Sequence, residues 1–332
     1  MAALGTSFVT LADLASRQGP DGKIQKPIEL LSKMTPITKY GLFKEGNMAT
    51  GEKTTVRTGL PAVSWRLINQ GVVPTKGSTA QVEFKTALME SWSQIDRTLV
   101  DISNDPGEFR LSESIAHLEA IAQEYESTFF YGSASTPSEF VGLAAHYSDT
   151  TAGNGDNVLD AGGTDASDNT SIWFLNFGAD LFCTYPKGTP AGVVREDKGV
   201  MTIQNFGGVT GALLDCFVEK FGMGAGVALR DWRRAVRIAS IDVSALRAQS
   251  GDADLIFYMT RAYHRLRRSL GTGKTMIVCN PLVAEYLDHQ RQQKLAAGGG
   301  VTMQNIDGED VLAFRGIPIY ISDSILNTES PV

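Results

Sequence analysis

Cysteine is scarce in this chain, and its three copies, Cys183, Cys216 and Cys279, lie far apart. An odd and sparse set is not a disulfide framework, and it is typical of proteins kept in a reducing compartment. No run of 18 apolar residues occurs, so no segment is predicted to span a membrane. The N-terminus lacks a basic start and carries Asp13 inside its apolar stretch. We therefore expect mature sequence made in a cytoplasm rather than a signal peptide.

Groupings of chemically reactive residues are also missing. No Gly-x-Ser-x-Gly motif is present, and no cysteine has the context of a catalytic nucleophile. None of the four histidines pairs with another His or with Cys at the spacing of a metal site. The histidines are His117, His146, His264 and His289.

Two further segments resemble ligand-binding loops but lack their essential residues. The aspartates of 156–168 lack the alternation and the terminal Glu of a calcium loop. Residues 271–275 resemble a phosphate loop, but Arg268 stands where its first glycine is required. This segment also runs from helix to strand, which is the reverse of the order that directs a helix dipole at phosphate. The sequence therefore predicts no enzyme, no cofactor and no metal centre.

Charge is acidic overall, with 37 Asp and Glu against 30 Lys and Arg and a formal net charge of −7. This balance argues against a protein that binds polyanions over its whole surface, whereas it is compatible with local basic patches. Two basic clusters stand out, for which ion pairs between subunits or a solvated helix face are favoured over phosphate binding. They are Arg230, Arg233, Arg234 and Arg237 around Trp232, and Arg261, Arg265, Arg267 and Arg268 on a predicted helix.

The clearest predicted helix covers residues 111–131. Upstream, Asp105 can cap it and Pro106 suits its first position, and Gly132 is expected to end it. Its length of about 30 Å suits a strut. Apolar residues at steps of three or four share one face, namely Leu111, Ile115, Leu118, Ala122, Tyr125 and Phe129.

The remaining segments indicate a mixed fold. Residues 1–50 are weakly patterned and predict an arm that packs on another surface. Loosely alternating runs at 54–58, 63–68 and 80–85 surround a Pro/Gly turn and predict a projecting hairpin. Residues 148–170 are mostly small and polar and predict a surface loop. Strand patterns at 172–177, 200–203, 235–241, 276–279 and 311–325 do not alternate strictly with helices such as those starting at Leu255 and Leu282, so the predicted class is α+β.

Four stretches carry a resemblance to a known family. They are Thr58-Gly59-Leu60-Pro61 with Trp65-Arg66 and Asn69-Gln70-Gly71; Phe129-Phe130-Tyr131-Gly132 with Pro137, Phe140, Gly142 and Leu143; Ser171-Ile172-Trp173-Phe174 with Tyr185 to Gly192; and Phe314 to Ile319 with Ser322 to Ile325. In this order they resemble major capsid proteins of tailed bacteriophages of the Hong Kong 97 type, nearest to the short-tailed (podovirus) branch.

The resemblance implies a Hong Kong 97-like domain organisation. The expected parts are an N-terminal arm (1–50), an extended β-hairpin loop (51–88), a peripheral domain (89–147 and 301–332) with spine helix 111–131, a strand-rich insertion (148–250) and part of an axial domain (251–300). The implied function is self-assembly through hexamers and pentamers into an icosahedral phage head that encloses double-stranded DNA. Alternatives are an encapsulin-like compartment shell and a tail or decoration protein.

The resemblance also implies the contacts and partners of the subunit. Hairpin contacts with a neighbour are expected for Trp65, Arg66, Asn69 and Lys76, spine-helix packing for Tyr125, Phe129 and Phe130, and intersubunit salt bridges for Arg233, Arg234 and Arg237. Tyr263 and Leu266 are expected to pack the axial-domain helix. The expected partners are further copies of the chain, with a cementing protein, a scaffolding protein and a portal as additional candidates, and no membrane.

Overall fold

The computed structural model describes residues 32–103, 105–204, 210–248, 254–266, 273–294, 301–306 and 309–332. Within these ranges the chain forms seven α-helices and fourteen β-strands, arranged as two sheets and a separate two-stranded hairpin. The predicted α+β class is confirmed. None of the described helices combines the length and the apolar character needed to cross a bilayer.

The helices and strands follow one another along the chain in this order: α1 (Pro36–Tyr40), β1 (Phe43–Glu45), β2 (Gly51–Gly59), β3 (Ser78–Lys85), β4 (Ala87–Asp96), α2 (Arg97–Ile102), α3 (Pro106–Tyr131), α4 (Leu143–His146), β5 (Val158–Asp160), β6 (Asn169–Phe177), β7 (Leu181–Tyr185), β8 (Val194–Gln204), β9 (Leu213–Leu229), β10 (Ala235–Asp242), α5 (Val243–Arg247), α6 (Leu255–Leu266), β11 (Lys274–Cys279), α7 (Pro281–Lys294), β12 (Val301–Ile306), β13 (Glu309–Phe314) and β14 (Ile317–Ile321).

A seven-stranded sheet forms one half of the core, in the order β12-β13-β14-β11-β6-β10-β5. Its interior strand β6 is buried along its whole length, because both faces of the sheet are covered. Ile172 and Phe174 of β6 belong to the apolar cluster that includes Met259 of α6 and Leu287 of α7. Trp173 belongs to the cluster on the opposite face, to which the end of α3 also contributes.

A five-stranded sheet is built around β9, which has 17 residues. Strand β4 pairs along one edge of β9, and β8 and then β7 pair along the other. Sequence patterns do not predict β9, because Gly222, Gly224 and Gly226 lower its β-propensity. The structure shows why small residues occur there: a Cβ at Gly224 would lie 2.7 Å from Cδ of Pro186.

Helix α3, the predicted spine helix, begins and ends at the residues that its capping pattern indicates. Oδ1 of Asp105 accepts hydrogen bonds from the backbone N–H groups of Gly107 and Glu108, both at 3.1 Å. Pro106 occupies the first helical position, and the N–H of Gly132 donates to the carbonyl of Thr128 at the other end.

The hairpin differs from its predicted form. Strands β2 and β3 pair in antiparallel fashion from Gly51↔Lys85 to Gly59↔Ser78. Residues 63–68, whose loose alternation predicts a strand, form no strand and are exposed. Among the described residues they have no facing strand, and alternation by itself supplies no backbone hydrogen bonds. Residues 60–77 thus form one irregular segment at the end of the hairpin, called the extended loop below.

The predicted surface loop 148–170 also contains more structure than its composition indicates. Val158 and Leu159 are buried, and β5 pairs in parallel with β10 at the edge of the seven-stranded sheet. These two are the only large apolar residues of the loop. Their burial gives the strand its place in the core, while the small polar residues around them dominate the local pattern.

Strand pairing joins segments that the predicted domain division separates. Strands β12–β14, from the predicted peripheral segment 301–332, share a sheet with β11 of the 251–300 segment and with β6 of the insertion. The base of the predicted arm packs on its own chain: Ile37 is completely buried, and β1 pairs in parallel with β7. Residues 1–31 of the arm, Arg267, Arg268 and the predicted link at 296–300 lie outside the described residues.

Candidate functional site

The extended loop is the most exposed apolar segment of the described chain. All residues from 60 to 83 are exposed, and Trp65 has essentially its full surface open to solvent. Few contacts hold the loop in place: Oγ1 of Thr75 donates to the carbonyl of Ala62 at 2.8 Å, and Gln70 N–H donates to the carbonyl of Leu67 at 3.2 Å. Within the described part of its own subunit, this segment has no surface that covers it.

The four predicted contact residues of the hairpin all lie on this loop. Trp65, Arg66, Asn69 and Lys76 are exposed, so the structure leaves them accessible to another molecule. Asn69 has a φ of +67°, in the left-handed region that Asn tolerates better than most residues. It forms the turn that follows Trp65 and Arg66. Their assignment to a subunit contact stays a prediction.

The three aromatic residues predicted to anchor the spine helix are completely buried. They contact both sheets rather than one. Phe129 stacks on Phe177 of β6 with ring centroids 6.3 Å apart, whereas Tyr125 lies 5.8 Å from Phe43 of β1. Phe130 lies 5.9 Å from Trp173 of β6. The C-terminal end of α3 is thus inserted between the two sheets.

The N-terminal half of α3 has the opposite arrangement from the one predicted. Leu111 is 54% exposed and Leu118 is 39% exposed, although both belong to the apolar face expected to be covered. Ser112 and Ser114 are buried instead. The apolar stripe, defined as Leu111, Ile115, Leu118 and Ala122, therefore continues the buried aromatic face onto the surface.

A buried carboxylate explains why serines occupy the covered face. Glu219 of β9 accepts hydrogen bonds from Oγ of Ser114 at 2.8 Å and from the Arg195 guanidinium at 2.9 and 3.0 Å. Arg110 of α3 also binds Glu219 and reaches Asp197 at 2.7 Å. Burial acts to raise the pKa of Glu219, but these hydrogen bonds outweigh burial and lower the pKa. These polar contacts attach this half of the helix to the sheet together with the buried Phe109, which lies in one apolar cluster with Ile95 of β4.

The arginines predicted to form intersubunit salt bridges have acidic partners in their own chain. Arg237 is 5% exposed and binds Glu329 at 2.9 Å, so it forms an ion pair within the subunit, not between subunits. Arg234 binds Asp180 at 2.7 Å. Arg233 binds Asp231 at 2.9 Å on the surface, where a contact with a neighbour stays a prediction. Local sequence could not indicate Glu329, because it lies 92 residues from Arg237.

The axial-domain residues singled out in the sequence lie on α6. Leu266 is completely buried, and Tyr263 is half-buried with its ring 6.4 Å from Phe314 of β13. Both therefore help to hold α6 on the seven-stranded sheet.

A buried acid joins the arm base to the body of the subunit. Glu126 of α3 accepts hydrogen bonds from Ile37 N–H at 3.1 Å and from Oγ of Ser322 at 2.5 Å. Asp323 accepts a hydrogen bond from Met34 N–H at 2.8 Å. Burial raises the pKa of Glu126 to about 7 against the hydrogen bonds that favour its ionised form. Sequence patterns do not reveal Glu126, because it occurs in a helix with several other glutamates.

Metal-binding groupings do not occur in the described part of the chain: no three residues of the types His, Cys, Asp and Glu lie close enough to hold an ion. The three cysteines are buried free thiols. The extended loop and the apolar stripe are two exposed apolar surfaces of the subunit.

Comparisons with known proteins cover nearly the whole chain. A family model described as Major capsid protein GP7 matches residues 19–332. A cryo-EM structure of bacteriophage Epsilon15 is similar over 100% of this chain and 99% of that chain, with 28% identity and a TM-score of 0.80. The capsid of bacteriophage JBD30 covers 95% and 99%, with 10% identity and a TM-score of 0.47. An encapsulin of Synechococcus elongatus covers 71% and 98%, with 10% identity and a TM-score of 0.46. No curated protein matches.

Proposed function

Because the chain belongs to the major capsid protein GP7 family, we propose that its copies assemble by laying the extended loop of one subunit over the apolar stripe of the next. The subunit is a structural protein of the virion capsid, and its resemblance to tailed-phage capsid proteins with the Hong Kong 97-like fold is confirmed. Repetition of this contact around hexamers and pentamers would close an icosahedral shell around double-stranded DNA. The proposed role is purely structural.

The observation that carries the proposal is the bare apolar surface of the extended loop. Each buried apolar side chain of this size is worth about 1.5–3 kcal/mol, so exposing a row of them is unfavourable unless another surface covers them. The residues with more than three quarters of their surface exposed are Leu60, Val63, Trp65, Leu67, Ile68 and Val73.

The apolar stripe of α3 offers a matching surface on a second copy. Leu111 and Leu118 lie on helix α3 and are 54% and 39% exposed in the subunit. The loop and the stripe are different surfaces, so the contact runs head to tail. Heterologous contacts of this kind close into rings when the rotation between subunits divides a full turn. The other partners expected from the resemblance, a cementing protein, a scaffolding protein and a portal, stay predictions.

The test replaces two loop residues that are exposed in the subunit. Trp65→Ser with Ile68→Ser should leave the fold intact and raise the protein concentration needed for assembly by about tenfold or more, because central apolar anchors carry most of the energy of an interface. Sedimentation velocity and negative-stain microscopy measure particles, and circular dichroism checks the fold. Met303→Ser, at a half-exposed position outside the loop, is the control and should assemble normally.

A second variant tests the proposed receptor. Leu118→Ser on the apolar stripe should weaken assembly as the loop variant does, and deletion of residues 66–80 should give a folded subunit that does not assemble. Normal particles from the loop variants would exclude the extended loop as the contact. Normal particles from Leu118→Ser alone would show that the loop binds elsewhere on the neighbour.

A further inference from the structure

Helix α6 carries a basic face that no part of the described chain covers. Its buried residues Leu255, Met259, Ala262 and Leu266 fix the orientation of the helix on the seven-stranded sheet. Phe257, Arg261 and His264 then share the outward side, at steps of four and three residues, and all three are exposed. Arg315, from the turn between β13 and β14, reaches His264 at 3.3 Å and extends this face. The basic face is defined here as Phe257, Arg261, His264 and Arg315.

The charge on this face is unbalanced, although the chain is acidic. Residues 255–284 contain no Asp or Glu. Their cations are Arg261, Arg265, Arg267, Arg268 and Lys274, of which Arg267 and Arg268 lie outside the described residues.

The arginines of the basic face differ in their partners from the arginines that form ion pairs within the chain. Within the described ranges, Arg261 and Arg315 contact aromatic rings and no carboxylate: the guanidinium of Arg261 lies 5.8 Å from the Phe257 ring, and that of Arg315 lies 5.2 Å from the Tyr263 ring. Ring contacts hold a guanidinium in place and leave its N–H donors available. Seven other arginines each bind a carboxylate of the same chain: Arg97, Arg110, Arg195, Arg230, Arg233, Arg234 and Arg237.

We propose that the basic face binds the phosphodiester backbone of duplex DNA. A guanidinium with available donors binds phosphate oxygens in a bidentate manner, and fixed cations at a helix surface gain affinity from counterion release. The exposed stripe of α6 from Phe257 to His264 is about 10 Å long, at 1.5 Å per residue, which corresponds to about three phosphates of one strand.

Contact is with the DNA backbone and is independent of base sequence, because phosphate contacts carry no sequence information. The acidic remainder of the subunit repels DNA and confines attachment to this face. DNA binding by this face goes beyond the proposed function. It rests on that function in one respect, because a shell that encloses DNA identifies DNA as the polyanion. The competing occupant of the basic face is an acidic surface of a neighbouring copy, and the experiment separates the two.

The experiment measures DNA binding by the full-length protein and its variants. Fluorescence anisotropy of a labelled duplex of roughly 30 base pairs gives the affinity at about 50 and 200 mM salt, the range over which backbone contacts weaken most. Arg261→Gln and Arg315→Gln should each bind more weakly at the lower salt concentration. The affinity falls when the salt concentration is raised from the lower to the higher value, and each lost phosphate contact should make this fall roughly 3.5-fold smaller. Arg261→Lys, which keeps the charge, should retain most of the binding.

The matched control is Arg97→Gln, which removes the same charge from an exposed arginine that pairs with Asp101. It should bind DNA like the unmodified protein. If Arg261→Gln and Arg315→Gln bind no more weakly than Arg97→Gln, the proposal is overturned. Impaired assembly with unchanged DNA binding would assign the face to a neighbouring copy. Particle formation is measured separately by sedimentation, so failure of the loop contact and failure of DNA binding remain distinguishable.

Discussion

Among single residues, Glu126 is a carboxyl group buried between α3, the arm base and Ser322. Its pKa is raised from the ordinary 4.5 to about 7. The folded subunit therefore binds this proton more tightly than the unfolded chain. The resulting stability is fully present below about pH 4.5 and is lost as the pH rises through about 7.

We expect Glu126→Gln to remove part of the pH dependence of stability. The unmodified protein should lose on the order of 3 kcal/mol between pH 4.5 and 8 through this group, and the variant should not. Thermal unfolding across this pH range measures the difference. Glu139→Gln, at an exposed position, is the control. Parallel pH profiles for Glu126→Gln and the unmodified protein would contradict the assignment.

The buried pair Arg237–Glu329 makes a second prediction at this scale. Arg237 also donates to Oγ of Ser171 at 3.1 Å and to the carbonyl of Tyr147 at 2.9 Å, and Tyr131 binds Glu329. Removing one partner leaves a buried charge, so Arg237→Met or Glu329→Gln should destabilise the fold by about 3–5 kcal/mol. The double variant should be less destabilised than the two single effects combined, as a double-mutant cycle in denaturant would measure. Additive effects would show that the two side chains are not coupled.

Among the helices and strands, the turn after α3 depends on two glycines in close contact. The Gly142 N–H donates to the Gly132 carbonyl at 2.8 Å, and a Cβ at Gly142 would lie 2.5 Å from the Gly132 nitrogen and 2.6 Å from the Thr128 oxygen. Backbone atoms cannot move aside as side chains do. Gly142→Ala should therefore cost about 1–3 kcal/mol of stability.

Denaturant unfolding measures this cost against a matched substitution. Gly153→Ala places the same methyl group where no atom lies within 4 Å, so its stability should be unchanged. Equal stability of the two variants would mean that the turn can relax without loss.

The sequence predicts helices better than it predicts which of their faces are buried. The ends of α3 follow from Asp105, Pro106 and Gly132, because capping is local chemistry. Leu111 and Leu118 are exposed because the opposite side of the helix faces Glu219, which binds Ser114. Glu219 lies about a hundred residues further along the chain, so no local pattern predicts this contact. Distance along the chain also explains why the sequence does not predict the ion pairs of Arg234 and Arg237, whose partners come from distant segments. The exposure of the extended loop, in contrast, follows from the loop's own residues.

In the whole molecule, the interaction surfaces occupy separate parts of the fold. The extended loop projects from the hairpin, the apolar stripe lies on the N-terminal half of α3, and the basic face lies on α6 beyond the seven-stranded sheet. The proposed assembly contact and the proposed DNA binding therefore depend on different residues. Variants of one surface should leave the other unaffected, which makes the two proposals testable in one set of proteins.

The insertion of the aromatic end of α3 between the two sheets has a mechanical consequence. Phe129 and Tyr125 connect one rigid helix to β6 of one sheet and to β1 of the other. A load applied to the exposed end of this helix is transmitted as torque to both sheets at once. The stiffness of a shell built from such subunits therefore depends on this aromatic joint inside each subunit as well as on the seams between subunits.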